Sequence, residues 1–143
     1  MSVPPLGDDI GFLLSRASGL VVRSTNEALA DDGLRVRQYS VLVLACAAAD
    51  GISQRDLAET LGLDPSQVVL LVDELATAGL VERRPSPSDR RTRLVAATAQ
   101  GLRAVRGAAH RAASGQQRRL SRLSAEEQAT LRGLLSRLVA SPD

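Results

Sequence analysis

Residues 64–97 specify their own secondary structure more completely than any other part of the chain, and they constrain the fold most. Asp64 suits a helix N-cap, Pro65 occupies the first helical position, where its missing N–H costs nothing, and Gln67 can complete a capping box. Gly79 ends this helix. The residues that follow, LVERRPSPSDRRTRLVAA, predict two strands joined by a proline-marked loop, which is a β-hairpin.

The remainder of the chain predicts helices. A short helix, ISQRDLAETLG, precedes the capped one, with Ser53 as its N-cap, Asp56 as the capping-box partner and Gly62 at its end. LGLDP joins the two helices, so they form a helix-turn-helix and the hairpin that follows is a wing. The fold class is therefore mainly α with a small β-hairpin wing, and the flanking helices are predicted at residues 8–30, 38–48, 98–123 and 124–139.

The composition agrees with helix-on-helix packing. Apolar residues make up 44% of the 143 residues, yet Phe12 and Tyr39 are the only aromatic ones. The core must therefore be built from Leu, Val and Ala, which suits helices better than a β-sandwich.

The distribution of charge is more informative than the net value of +2. Residues 1–82 contain five arginines and twelve acids, whereas residues 83–93 contain five arginines and one aspartate. A short basic block beside a helix that is built to enter a DNA groove indicates a surface for phosphates. Double-stranded DNA is thus the expected partner.

Other classes of protein are excluded by the residues present. A single cysteine allows no internal disulfide and no multi-thiol metal site, and His110 is the only histidine. No base stands ready to activate a serine or cysteine, and there is no phosphate-cradling glycine loop or carboxylate cluster, so we expect no enzyme activity, cofactor or metal. The N-terminus lacks a secretion signal and the longest apolar run, 41–49, is far below the ~20 residues of a membrane span, so we expect a cytoplasmic protein.

The segment 38–101 resembles the MarR family of winged-helix regulators. The residues that carry the resemblance are LAETLGLDPS, LVDEL, GLVERRPSPSDRR and the wing pattern Asp89-x-Arg91-x-x-x-Val95-x-x-Thr98. The resemblance implies a homodimer in which residues 1–143 form one domain. In it, residues 8–33 and 98–140 would be dimerisation helices, and residues 36–97 the DNA-binding lobe. Such a dimer reads two half-sites, so the operator should be roughly palindromic.

The side chains of the capped helix divide into two faces at 100° per residue. Val68, Leu71, Val72 and Leu75 cluster in one direction, which predicts the core side. The outward side chains are Ser66, Gln67, Val69, Leu70, Asp73 and Glu74. Family members commonly have a hydroxyl residue and Arg at the positions of Val69 and Leu70, and often a basic residue at that of Glu74.

This departure leaves two accounts open. In the first, Ser66 and Gln67 hydrogen-bond base edges, Val69 and Leu70 pack against thymine methyls in an A·T-rich site, and other contacts supply the affinity. In the second, the helix no longer reads DNA and its apolar pair contacts a protein.

The wing carries the cations. The resemblance implies that Asp89 braces the loop and that Arg91 enters the minor groove with Arg90 beside it, where arginine suits a narrow A·T-rich groove. The other predicted contacts lie on the strands and at the start of the preceding helix: Arg83, Arg84 and Arg93, which either contact phosphates or pair with Glu82 and Asp73, and Gln54 and Arg55, which would contact the DNA backbone.

The resemblance also implies a pocket for an aromatic or phenolic effector between the dimerisation helices and the lobe. Phe12, Arg16, Tyr39 and Val43 are the best local candidates, although Phe12 and Tyr39 are equally well explained as core. Cys46 lies in an apolar run, where a thiol behaves as an inert hydrophobe rather than as a redox sensor.

Overall fold

The computed structural model describes residues 2–142 and confirms a mainly helical chain with one small sheet. The helices are α1 (Ile10–Leu29), α2 (Val36–Ala47), α3 (Gln54–Leu61), α4 (Pro65–Thr77), α5 (Ala99–Leu120) and α6 (Ala125–Val139). The strands are β1 (Ile52–Ser53), β2 (Val81–Pro85) and β3 (Arg93–Ala97), and short 3-10 turns lie at Leu6–Asp8 and Ala30–Asp32. Across these helices, no stretch is both long and apolar enough to cross a lipid bilayer.

The ends of α4 lie where the sequence predicts them. The backbone N–H of Asp64 donates to Oε1 of Gln67 at 3.2 Å, and Pro65 is the first helical residue. The chain leaves the helix through Gly79, whose φ of 76° lies in the left-handed region that favours glycine. These local signals are sufficient because each is satisfied within a few residues.

The start of α2 differs from the prediction, and in α3 the predicted N-cap Ser53 is confirmed without its predicted capping box. Helix α2 begins at Val36 rather than at Gln38, because Oδ1 of Asn26 in α1 accepts the N–H of Val36 at 2.8 Å and caps the helix from a distant part of the chain. In α3, Ser53 accepts the N–H of Asp56 at 3.0 Å, but the described structure shows no return bond from the Asp56 carboxylate. The aspartate side chain is one methylene shorter than the glutamate of a full capping box.

Thr98 fastens the start of α5 to the base of the sheet. Its Oγ1 accepts the N–H of Gly101 at 3.0 Å and donates to the carbonyl of Gly79 at 2.6 Å, while its own N–H donates to the carbonyl of Leu80 at 3.1 Å. Thr98 is therefore the N-cap of α5, at the start predicted for this helix, and it also joins the helix to the turn after α4.

The sheet contains the predicted hairpin and one additional strand. Its order is β1-β3-β2 and all pairs are antiparallel, with Val81 opposite Ala97 and Ile52 opposite Val95. Strand β1 has only two residues, which is too short to leave a period-2 pattern in the sequence. Gly51 allows the close approach, because a Cβ there would lie 2.8 Å from the carbonyl oxygen of Val95.

The core is made of Leu, Val and Ala, as the composition predicts. The largest side chains with almost no exposed area are Leu29, Leu42, Leu57, Leu75, Val41, Val68, Val72 and Val95. Phe12 and Tyr39 are each half-buried, and Tyr39 packs against the edge of the core. The chain therefore closes its interior without a central aromatic side chain.

Helices α1 and α5 pack together along small residues. Gly115 is buried, and a Cβ on it would lie 2.8 Å from Cα of Thr25 and 2.9 Å from Cβ of Ala28. The hydroxyl of Ser24 donates to the Gly115 carbonyl at 2.7 Å. An ion pair between Arg111 of α5 and Asp32 closes the lower end of this contact.

Among the α-helices, α6 has the least cover. None of its residues is buried by the remainder of residues 2–142, and Leu134 and Leu138 are 51% and 66% exposed. Leu102 in α5 and Ile10 in α1 are exposed as well. These apolar side chains lie on the terminal helices, and one copy of the chain leaves them in contact with solvent.

Candidate nucleic-acid interface

Helix α4 presents the outward face that its periodicity predicts. Val68, Val72 and Leu75 are buried in the core, and Leu71 is half-buried. On the opposite side, Ser66 and Val69 are exposed and Leu70 is 62% exposed. The outer edge of the helix is therefore open to solvent, and its exposed apolar pair, Val69 and Leu70, lies among polar side chains.

Gln67 has less freedom than the sequence suggests. Its Oε1 accepts the N–H of Asp64, so the side chain serves the start of its own helix. A bidentate contact with adenine needs both the amide oxygen and the amide nitrogen. With the capping bond intact, Oε1 of Gln67 keeps one free lone pair, but the direction of the amide is set by the N–H of Asp64.

The two acidic residues of α4 are held by neighbouring side chains. Oδ1 of Asp73 accepts from Nη2 of Arg83 at 2.6 Å, and Oε2 of Glu74 accepts from Nε2 of Gln38 at 2.5 Å. Arg83 neutralises the charge of the Asp73 carboxylate, and Gln38 supplies a hydrogen bond to the Glu74 carboxylate. Each directs a carboxylate towards the protein rather than leaving it fully free beside the outer edge.

The arginines of strand β2 are engaged within the protein. Arg83 donates from Nε to Oε1 of Gln54 at 3.1 Å in addition to its contact with Asp73, and Arg84 pairs with Glu82. Of the two predicted roles, phosphate contact or pairing with acids, these two arginines adopt the pairing in the described structure. Arg93 on β3 is exposed and forms no side-chain hydrogen bond or ion pair with residues 2–142.

The tip of the wing is held in shape by Asp89. Its Oδ1 accepts the N–H of Arg91 at 3.0 Å, its Oδ2 accepts the hydroxyl of Thr92 at 3.3 Å, and its carbonyl accepts the N–H of Thr92 at 3.0 Å. The side chains of Arg90 and Arg91 project from this turn. Both are exposed and neither has a side-chain partner elsewhere in residues 2–142. Their charges are therefore available to an external anion.

The start of α3 contributes one free and one engaged side chain. Gln54 is half-buried and bonded to Arg83, whereas Arg55 is exposed and forms an exposed i,i+4 pair with Glu59 at 3.4 Å. A pair of that kind contributes little, about 0.3–0.5 kcal/mol, so Arg55 can leave it for a phosphate.

Of the predicted effector residues, Phe12 and Arg16 lie near the start of α1, whereas Tyr39 and Val43 lie in α2. Phe12, Tyr39 and Val43 are half-buried and Arg16 is exposed. A neighbouring cleft of about 390 Å³ opens between α1, α2 and α4, and none of the four lines it. Its lining residues are Val22, Asn26, Arg35, Val36, Arg37, Gln38, Leu71 and Glu74. Sequence reasoning missed this cleft because it is assembled from three helices, none of which carries a local signature for it.

Cys46 and Asp32, both outside the interface, have pKa values that are shifted by their surroundings. Burial raises the pKa of the Cys46 thiol, which favours the inert form. The hydrogen bond from Arg111 lowers the pKa of Asp32, so this carboxylate serves an ion pair rather than only a helix end.

Comparison with known proteins places the whole chain among similar regulators. The model of the MarR family matches residues 32–92. The multiple antibiotic resistance protein MarR of Escherichia coli (strain K12) is 31% identical over 133 residues, which is 91% of this chain and 90% of that protein. The crystal structure of CouR from Rhodococcus jostii RHA1, bound to p-coumaroyl-CoA, is 47% identical with a TM-score of 0.90 and covers 99% of both chains. A transcriptional repressor also called CouR, bound to a 23-mer DNA duplex, is 29% identical with a TM-score of 0.85, over 98% of this chain and 99% of that one.

Proposed function

The chain belongs to the MarR family of transcriptional regulators, and on that basis we propose that it is a homodimeric repressor that a small-molecule effector releases from its operator. Members of this family are DNA-binding regulators and not enzymes. The operator is a roughly palindromic, A·T-rich sequence, read by two copies of α4 and two wings. The site of action is the cytoplasm, where the DNA lies.

The observation that carries this proposal is the pair of free arginines on a braced turn. Arg90 and Arg91 extend from a tip that Asp89 holds, and they meet no counter-charge within residues 2–142. A preformed cationic tip loses little conformational freedom when it enters a narrow, negatively charged minor groove. The DNA-bound CouR supports the same use of the fold.

Helix α4 supplies shape and methyl contacts in this proposal. Val69 and Leu70 project where an α-helix meets base edges, and thymine carries the one methyl group in the major groove. Asp73 and Glu74 are already bound to Arg83 and Gln38, so their repulsion of phosphates is reduced. The preference for A·T pairs follows from both surfaces together.

A second copy of the chain supplies the cover that the terminal helices lack. Leu134, Leu138 and Ile10 are exposed apolar side chains on the terminal helices that a lone protomer does not bury. Large exposed apolar faces favour association. Pairing through α1, α5 and α6 places two lobes on one side, which is what a palindromic site requires.

The effector binds between α1, α2 and α4. The predicted residues Phe12, Arg16, Tyr39 and Val43 lie on the first two of these helices, and the cleft beside Arg35 and Arg37 extends towards the third. The CouR complex with an aromatic acyl-CoA supports an effector with a ring and an anionic portion. A ligand that prefers a lobe spacing unsuited to the two grooves lowers DNA affinity by its differential affinity alone.

Selection of genomic fragments with the purified protein tests the function directly. An A·T-rich inverted repeat that is enriched from the fragments, and released by phenolic acids or their thioesters, supports the proposal. Retention that is sensitive to salt but blind to sequence favours the alternative, a winged-helix module whose exposed Val69 and Leu70 contact a protein. Binding to a fragment with no response to any effector rejects the ligand-released mechanism alone.

A further inference from the structure

We propose that Arg83 is a positioning residue that sets the angle between the wing and helix α4, and that it does not contact phosphates. The inference rests on the proposed function, since the angle matters for docking both elements onto one duplex. It separates the five arginines of residues 83–93 into two groups with different tasks.

The direction of the Arg83 side chain follows from its place on β2. Val81 and Arg83 lie two residues apart on β2 and therefore share a face of the sheet. Val81 is almost completely buried, so this face is turned towards the body of the lobe, and Arg83 follows it. Glu82 and Arg84 alternate to the other face and are exposed. The wing therefore offers Arg84 and its tip to solvent, whereas it directs Arg83 inwards.

The Arg83 side chain joins three elements of the lobe, β2, α3 and α4. Its Nη2 donates to Asp73 on α4 at 2.6 Å and its Nε donates to Gln54 at the start of α3 at 3.1 Å. Two nitrogens of one planar guanidinium thus hold both helices of the helix-turn-helix against the first strand of the wing. A guanidinium fixes the directions of its donors, which an ammonium group does not, so the geometry depends on arginine specifically.

The positive charge of Arg83 is already compensated within the protein. A phosphate that approaches Arg83 also meets the carboxylate of Asp73, which already neutralises the arginine. Arg93 lies on the neighbouring strand, is exposed and has no side-chain partner within residues 2–142, so it offers an uncompensated charge. Arg93 is therefore the matched control for a true phosphate contact.

The experiment measures operator affinity against salt for Arg83→Gln, Asp73→Ala, the double variant and Arg93→Gln. A lost phosphate contact lowers the steepness of the fall of log K with log[salt] by about 0.9, or by about 1.8 when both protomers lose the contact. We expect that fall for Arg93→Gln, whereas Arg83→Gln should weaken binding by about 3- to 30-fold with the slope of the unmodified protein retained.

Asp73→Ala gives the sharper result, because the two interpretations differ in sign. Removal of an acid near DNA strengthens binding if Arg83 is a phosphate ligand, since the arginine becomes free. If Arg83 is a positioning residue, Asp73→Ala weakens binding in the unmodified background and causes no further loss in the Arg83→Gln background. Arg83→Lys keeps the charge. It should therefore retain full operator affinity only if Arg83 is a phosphate ligand.

A reduced slope for Arg83→Gln, tighter binding by Asp73→Ala, or full rescue by lysine overturns the inference. Circular dichroism and the thermal midpoint at equal protein concentration establish that each variant is folded. If the unmodified protein retains no DNA fragment, the proposed function fails, and amide exchange of β2 and β3 decides the inference instead. Faster exchange in Asp73→Ala than in Glu82→Ala then supports it, and equal exchange overturns it.

Discussion

Replacing Gly115 by alanine should destabilise the protein, although alanine is the better helix former. Gly115 lies at the closest approach of α5 to α1, where an added Cβ would be 2.8 Å from Cα of Thr25, 2.9 Å from Cβ of Ala28 and 3.1 Å from the Ser24 carbonyl oxygen. Carbon atoms in contact prefer a separation of about 3.5–4.0 Å. The two helix backbones must therefore move apart by roughly 1 Å to admit the methyl group.

The magnitude follows from three contributions. Overpacking of a tight contact costs about 1–3 kcal/mol. Separation of the helices also weakens the 2.7 Å hydrogen bond from Ser24 to the Gly115 carbonyl, a bond worth about 1 kcal/mol. The gain in helix propensity, about 1 kcal/mol, offsets part of this cost. The free energy of unfolding should therefore fall by about 1–3 kcal/mol, which lowers the thermal midpoint by roughly 2–10 °C.

Gly107 in the same helix provides the matched control. It is exposed, and the only contact for an added Cβ is the flexible end of Arg111 at 3.7 Å. Gly107→Ala should raise the midpoint, because it keeps the propensity gain and adds no collision. Thermal unfolding of both variants at one protein concentration checks the pair. Equal stabilisation by both substitutions would refute the claim that backbone proximity at Gly115 holds α1 against α5.

Three further outcomes are expected. Arg91→Ala should weaken operator binding by about 1–3 kcal/mol, seen as a loss of roughly 5- to 150-fold in fluorescence anisotropy at low salt, with no change in thermal midpoint; unchanged affinity contradicts the role of the wing tip. The hydrogen bond from Arg111 lowers the pKa of Asp32 from its ordinary value of 3.8, so the ion pair stabilises the protein above that pH and is lost as the pH falls through the lower value. Asp32→Asn should therefore lower the midpoint near neutral pH, and the deficit should shrink below pH 3.8; a deficit that is independent of pH excludes this ion pair as its cause. Leu134→Ser with Leu138→Ser should raise the dimer dissociation constant at least about 100-fold in sedimentation equilibrium, because four leucines per dimer lose their cover; an unchanged constant removes α6 from the interface.

Much of the fold could be predicted because its signals are local. The N-caps at Asp64, Thr98 and Ser124 are each satisfied within three residues, so the sequence alone contains both partners. The predicted start of α2 is two residues late, because one of the bonds that cap this helix, from Val36 to Asn26, joins residues ten positions apart. The strand β1 was missed because two residues carry no periodicity.

The candidate site was predictable in composition but not in arrangement. The sequence places Arg83 beside acids and free arginines alike, and only the structure shows that it binds Asp73 and Gln54. The ion pair between Arg111 and Asp32 joins residues 79 positions apart, which no spacing rule for helices predicts. The cleft near Arg35 is likewise a product of packing, not of a motif.

The attachment at Thr98 turns the long helix into a lever. Helix α5 has 22 residues and is therefore about 33 Å long, and its first turn is fastened to the carbonyls of Gly79 and Leu80. A tilt of only about 5° about this fulcrum carries the far end of the helix through about 3 Å. Any tilt of α5 about Thr98 would thus displace its C-terminal end, together with the part of α1 packed on Gly115, far more than its N-terminal end.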